Sequence, residues 1–222
     1  MTDLFNSPVL LIHQPTPRLD YQITDAQGGE LARTVQVVGR RNSAVKRFFS
    51  AGDTSQVVIQ VTRPDGAPLF FVDRPTQQRA AAMAKQPPCF VVAPDGMPIG
   101  RLEQNARAFA QSLLQAQRAG EEGFTQAYQL FADQGGPLCD VSQEPVRVLH
   151  REPYAAHSVG GEFITYTDTN QVQIARLEPR ESGGFAKSFS LHLQYRLPDP
   201  LRVLVIASPI AMLLMDAAVS GW

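Results

Sequence analysis

Asp199-Pro200-Leu201-Arg202-Val203-Leu204-Val205-Ile206-Ala207-Ser208-Pro209-Ile210-Ala211-Met212-Leu213-Leu214-Met215-Asp216 is the stretch on which the reading of this chain turns. An acceptor side chain followed by proline is a good helix start, because the first helical position has no use for an amide hydrogen. Charges stand only at the ends, and the run Val203 to Met215 is uncharged and apolar all round. Such a helix needs lipid or protein on every side. The run is shorter than the roughly 18 to 20 apolar residues of a membrane span, and Pro209 interrupts it. Enclosure by protein is therefore the expected state of a helix extending from about Pro200 to Ser220.

What encloses it is written upstream as a repeat. Five segments share a β-rich run, a polar turn and a second run: Tyr21 to Thr34, Val58 to Val72, Cys89 to Glu103, Tyr128 to Val141 and Phe163 to Glu178. Asp65-Gly66 and Asp95-Gly96 supply the positive φ of a tight hairpin without steric cost. Alternation such as Tyr21, Ile23 and Ile164, Tyr166 gives strands with one buried face. Further strands are expected at Val9 to His13, Val35 to Val38, Val45 to Phe49, Val146 to His150 and Phe185 to Leu197, for a total of about twelve. One amphipathic helix is expected on the outside over 103–119, with Ala106, Phe109, Ala110, Leu113, Leu114 and Ala116 as its apolar stripe. A helix is about 10 to 12 Å across, and cans of about eleven strands hold one. The predicted fold class is thus mainly β: a closed antiparallel barrel of roughly twelve strands around a hydrophobic C-terminal helix, as a single domain over 1–222.

Composition narrows the functional classes. The 222 residues carry 44% hydrophobic and 18% charged side chains and a net charge of −1, so nothing global calls for nucleic acid as a partner. The first residues have no basic leader, which predicts a cytoplasmic protein. Cys89 and Cys139 lack CxxC spacing and read as reduced, packed thiols.

The order of these features resembles the phospholipid scramblase and LURP-one-related group, whose fold is similar to the tubby C-terminal domain. The resemblance is carried by Leu10-Leu11-Ile12-His13-Gln14, by Pro94-Asp95-Gly96-Met97-Pro98-Ile99-Gly100, and by Leu197-Pro198-Asp199 leading into Val203 to Asp216. It implies a twelve-stranded barrel around the C-terminal helix, acting at or near membranes. The palmitoylated cysteine cluster of animal scramblases has no counterpart here. The family's acidic calcium stretch corresponds to Phe185 to His192, where only the later Asp199 offers a carboxylate, so no metal is expected.

Chemistry-bearing patterns point away from an enzyme. His13, His150, His157 and His192 lack metal-ligand spacing and read as sheet-face or loop residues. Ser43-Ala44-Val45-Lys46 matches SxxK without its partner motifs, the Gly-Gly pairs at 28, 135, 160 and 183 fit turns, and Glu121-Glu122 sits at a helix end. No catalytic residue and no cofactor is expected. One local patch stands out: Arg40, Arg41, Lys46 and Arg47 place four cations within eight residues, beside Phe48 and Phe49. Clustered cations near a bilayer hold anionic headgroups. The competing reading is an ordinary polar loop with Val45 and a phenylalanine turned inward. The functional expectation is a non-enzymatic domain, peripheral to membranes, that binds anionic phospholipid through basic loops; the alternative is a soluble protein-interaction or regulatory scaffold without a lipid role.

Overall fold

A computed structural model describes residues 3–16, 19–38, 53–54, 56–78, 86–119, 127–143, 163–180 and 187–220. Its strands are β1 (Val9–Gln14), β2 (Gln22–Thr24), β3 (Glu30–Val38), β4 (Asp53–Thr54), β5 (Val57–Thr62), β6 (Pro68–Arg74), β7 (Gln77–Gln78), β8 (Cys89–Val92), β9 (Pro98–Gln104), β10 (Ala127–Ala132), β11 (Pro137–Gln143), β12 (Ile164–Asp168), β13 (Gln173–Arg180) and β14 (Lys187–Leu193). The helices are α1 (Ala106–Ala119) and α2 (Leu201–Ser220). Twelve strands close into one antiparallel barrel in the order β1-β14-β13-β12-β11-β10-β9-β8-β6-β5-β3-β2, while β4 and β7 pair separately. All five predicted hairpins form, as β2–β3, β5–β6, β8–β9, β10–β11 and β12–β13.

The repeat extends to atomic detail. Each hairpin ladder shifts register beside its turn. In four of them the same pair of backbone bonds closes the turn, as in Arg63 N–H to Ala67 O at 2.8 Å with Gly66 N–H to Arg63 O at 2.9 Å. The fourth turn residue is left-handed: Gly28, Gly66 and Gly96 have φ of 84°, 88° and 87°. This is a type I turn followed by a glycine bulge. The fourth copy places Gln171 there at φ 64°. A carboxylate locks each turn from one of two places. Asp25 and Asp168 open their turns and accept from the amides of Gly29 and Val172, whereas Asp65 and Asp95 precede the glycine and accept from Ala67 and Met97.

The helix α2 fills the lumen. Residues 204–212 are all buried, so no face of that stretch reaches water. Its contacts come from far-apart strands: Tyr166 of β12 hydrogen-bonds Ser208 at 2.7 Å, and Arg74 of β6 donates to the Leu214 carbonyl at 2.9 Å. On β9, a Cβ at Gly100 would lie 2.1 Å from the Phe131 carbonyl oxygen and 3.0 Å from a Leu204 methyl, so only glycine fits between sheet and helix there. Among the described residues no helix is long and apolar enough to cross a membrane.

Pro209 sits inside α2 and has no amide hydrogen, which leaves the Val205 carbonyl without its helical partner. Ser208 Oγ, one residue earlier, donates to that carbonyl at 2.7 Å. Its single proton being spent, Ser208 accepts from the Tyr166 hydroxyl. A three-member relay thus restores in an apolar interior the bond that proline removes.

Five expectations need correction. The outer helix begins at Ala106, not 103, because β9 continues to Gln104 and Asn105 caps the helix through the Ala108 amide at 3.1 Å. Of its predicted apolar stripe, Ala106, Ala110 and Leu114 face solvent. Val35 to Val38 is the second half of β3, and the strand expected over Phe185 to Leu197 is β14 alone. Asp199 does not cap α2: its carboxylate takes the Arg202 guanidinium, and the first helical carbonyl is that of Pro200, which accepts from Leu204. The strands expected at Val45 to Phe49 and Val146 to His150 lie outside the described residues.

Two stability predictions follow from this geometry. Ser208→Ala, which orphans both the Val205 carbonyl and the Tyr166 hydroxyl, costs about 2 to 4 kcal/mol in denaturant unfolding. Adding Pro209→Ala restores an amide to Val205, so Pro209→Ala is more favourable in the Ser208→Ala background than in the parent, by about 1 kcal/mol or more in a double-mutant cycle. Gln171→Gly relieves the left-handed turn and stabilises by about 1 kcal/mol, raising the melting temperature by about 2 to 4 °C.

Candidate functional site at the loop rim

An antiparallel barrel whose strands follow one another in chain order has a strict consequence: successive connections alternate between its two ends. Here every short turn, 25–29, 63–67, 93–97, 133–136 and 168–172, falls on one rim. The connections β1–β2, β3–β5, β6–β8, β9–β10, β11–β12 and β13–β14 leave from the other. The helix α2 enters at the hairpin rim, where Leu204 meets Gly100, and runs toward the loop rim, where Leu214 meets Arg74.

The hairpin rim gathers acidic groups. Each of the five turns carries an aspartate: Asp25, Asp65, Asp95, Asp133 and Asp168. Backbone donors from Val172 and Asn170 hold the Asp168 carboxyl below the usual carboxylate range. Strand β3 ends at the opposite rim, and segment 39–52, which follows it in sequence, contains Arg40, Arg41, Lys46 and Arg47 with no acidic residue. These four lie outside the described residues. Asp53 pairs with Gln78 and Thr54 with Gln77, just past the Val57–Arg74 end of the β5–β6 ladder.

Two concavities lie at the hairpin end. A groove of about 660 Å³ has an apolar floor of Leu4, Phe5, Leu31 and Leu69, with Asp3, Asp25, Glu30 and Asp65 set against the single cation Arg63. A smaller one of about 140 Å³ lies between Phe5 to Pro8 and Leu193 to Leu197, with Arg202 already paired to Asp199. An acid-walled groove repels phosphate and carboxylate ligands, so an anionic partner is excluded from the larger cavity.

The remaining candidate residues are structural where described. His13 Nδ1 lies 2.6 Å from Ser188 across the β1–β14 seam, and His192 lies on the outer face of β14, 3.2 Å from Ser190; His150 and His157 lie outside the described residues. The Gly-Gly pairs at 28 and 135 are in turns, while those at 160 and 183, together with Ser43 and Glu121-Glu122, lie outside the described residues. Of the stretch Phe185 to His192, the described residues from Lys187 onward belong to strand β14, and no group of three potential metal ligands gathers among the described residues. Cys89 and Cys139 are free thiols in the interior; burial pushes both up, Cys139 to about 12. Sequence reasoning missed Arg74, a cation buried in the barrel against the Leu214 carbonyl, with its proton affinity lowered by burial. Its only sequence signal is a charge at an inward position of an alternating strand.

No family model, curated protein or solved structure matches the chain.

The thiols define a pH response. A group whose folded pKa is raised stabilises the fold fully below its unfolded value and loses that contribution as pH climbs toward the folded one. Thermal stability should therefore fall as pH rises above 9.0, the ordinary thiol value, toward about 12. A Cys89→Ala/Cys139→Ala variant followed by circular dichroism should lose stability less steeply over that range, by up to about 1.4 kcal/mol per pH unit for each thiol removed.

Proposed function

We propose that this protein is a non-enzymatic, scramblase-like or LURP-one-like domain that attaches peripherally to anionic phospholipid through its loop rim, with Arg40, Arg41, Lys46 and Arg47 as the lipid-binding cations. The observation that supports this reading is the cluster of four cations within eight residues of sequence, set against the acidity of the hairpin rim. Segment 39–52 follows strand β3 in sequence, and β3 ends at the rim opposite five aspartate-bearing turns. An anionic surface attracts such a segment and repels the aspartate-bearing turns, which orients the molecule before contact. The closed barrel and its filled lumen serve as a rigid mount, and binding lies in long connections on such mounts.

Sedimentation with vesicles tests the reading. The protein should pellet with phosphatidylcholine vesicles containing phosphatidylserine and remain in solution with phosphatidylcholine alone. Each cation near an anionic surface contributes about 1 kcal/mol, so Arg40→Ala/Arg41→Ala/Lys46→Ala/Arg47→Ala should weaken binding by about a thousandfold. Asp65→Asn/Asp95→Asn on the hairpin rim keeps the turn acceptors and should bind at least as well as the parent. Equal retention on neutral and anionic vesicles, or a quadruple variant that binds like the parent, would sink the proposal in favour of a soluble interaction scaffold.

A further inference from the structure

Three segments wall the larger groove at the hairpin rim: the N-terminal turn, the β2–β3 hairpin and the β5–β6 hairpin. Each brings carboxylates, Asp3 from the first, Asp25 and Glu30 from the second and Asp65 from the third, above an apolar floor. Asp25 differs from the others in its burial. It is 8% exposed, and its Oδ1 accepts two turn amides, from Gln27 at 3.0 Å and from Gly29 at 2.7 Å. Its Oδ2 accepts from no group among the described residues. A Cβ at Gly29, which also lines the groove, would stand 2.9 Å from that oxygen, so glycine there leaves it uncovered. A charged oxygen this close to burial is costly until a cation or donor meets it. Glu30 beside it is exposed and also has no side-chain partner among the described residues. Arg63, the one cation in the lining, forms no ion pair among the described residues.

The spacing of the carboxylates selects the ligand. Among the described residues no three of them gather closely enough to hold one metal ion, so a compact inorganic cation cannot answer them together. A chain that carries separated cations can. Its carbon segments then cover the apolar floor, as the stems of lysine and arginine cover apolar protein surface. The groove, at about 660 Å³, is on the scale of small-molecule sites, which run from about 300 to 1,000 Å³. We infer that this groove binds an aliphatic polyamine, with one ammonium on Asp25 Oδ2, the next toward Glu30, and the methylenes between them on Leu31 and Leu69. Four carboxylates draw such a polycation in, and Arg63 opposes it. Every residue involved lies at the hairpin end, separate from the segment assigned to lipid.

Equilibrium dialysis of the full chain against labelled spermidine tests the assignment. Saturable binding of one spermidine per chain is expected, and magnesium chloride should leave most of it in place when compared with sodium chloride at matched ionic strength. Asp25→Asn keeps the Oδ1 acceptor that closes the turn and puts a donor in place of Oδ2. It should weaken binding at least about tenfold, the scale of a charge-assisted bond lost at a nearly buried group. Glu30→Gln should weaken it about threefold, as for an exposed ion pair, and Arg63→Gln should tighten it by a similar factor. Asp95→Asn removes the same charge from a turn outside the groove and should bind like the parent. Absence of saturable binding, or displacement by magnesium at matched ionic strength, overturns the assignment. So does an Asp95→Asn variant that loses as much as Glu30→Gln, because binding then follows net charge alone. A labelled lysine-leucine-lysine tripeptide that binds where spermidine fails overturns it in favour of a protein partner. Should Asp25→Asn misfold, the other pair decides: parent-like binding by both Glu30→Gln and Arg63→Gln overturns the site.

Discussion

A helix sealed inside a barrel has no water to repair its backbone, and that constraint governs this structure. Most of α2 repairs itself by its own helical bonds. Pro209 creates the exception, and the answer is a local one: the serine beside it turns its proton to the stranded Val205 carbonyl. That leaves a serine oxygen needing a donor in an apolar lumen, and Tyr166 reaches in from β12 to provide it. The relay ties rotation and depth of the helix to one strand, because a slide of one residue would separate hydroxyl from hydroxyl. Arg74, at the far end, adds a second polar anchor at Leu214. Between these two points the Cys89 thiol donates weakly to the Ala211 carbonyl at 3.5 Å, and the other contacts are apolar and would tolerate some sliding. The polar pairs therefore define position, while the apolar ones supply most of the binding free energy.

Sheet parity is the second organising fact. With twelve strands in chain order, each connection's rim is decided by whether its number is odd or even, independent of what its residues are. Tight turns are cheap in length and tolerate one geometry, hence the repeated bulge with a left-handed fourth residue. The other rim is free to carry long insertions, including α1 between β9 and β10. The division between a conserved geometry at one end and variable content at the other is a property of the meander itself.

The fold was legible in the residues because two patterns were strong and agreed. Aspartate-glycine turns at Asp65 and Asp95 marked hairpins, and the uncharged run after Asp199 demanded an enclosure wide enough for a helix. Boundaries were legible only where a local cap decides them. Glu103 and Gln104 look helical by composition, but both pair in β9 with Gln129 and Tyr128, so long-range hydrogen bonds override local preference. Asp199 has the right chemistry for a cap and is diverted by Arg202, three residues on. The Tyr166–Ser208 contact spans 42 residues, and no periodicity announces it. The candidate cations were legible as a cluster of residues and lie outside the described part of the structure.

The seam between β1 and β14 has a consequence for how the molecule comes into being. Strand β1 waits for β14, nearly 180 residues later, before the sheet can close, and the plug follows β14. Such distant pairing makes for slow folding and leaves open strand edges during synthesis. Until then the growing chain presents an incomplete sheet with an unfilled apolar inner face, the kind of surface that chaperones hold. Closure and filling are bound to come together, at the end.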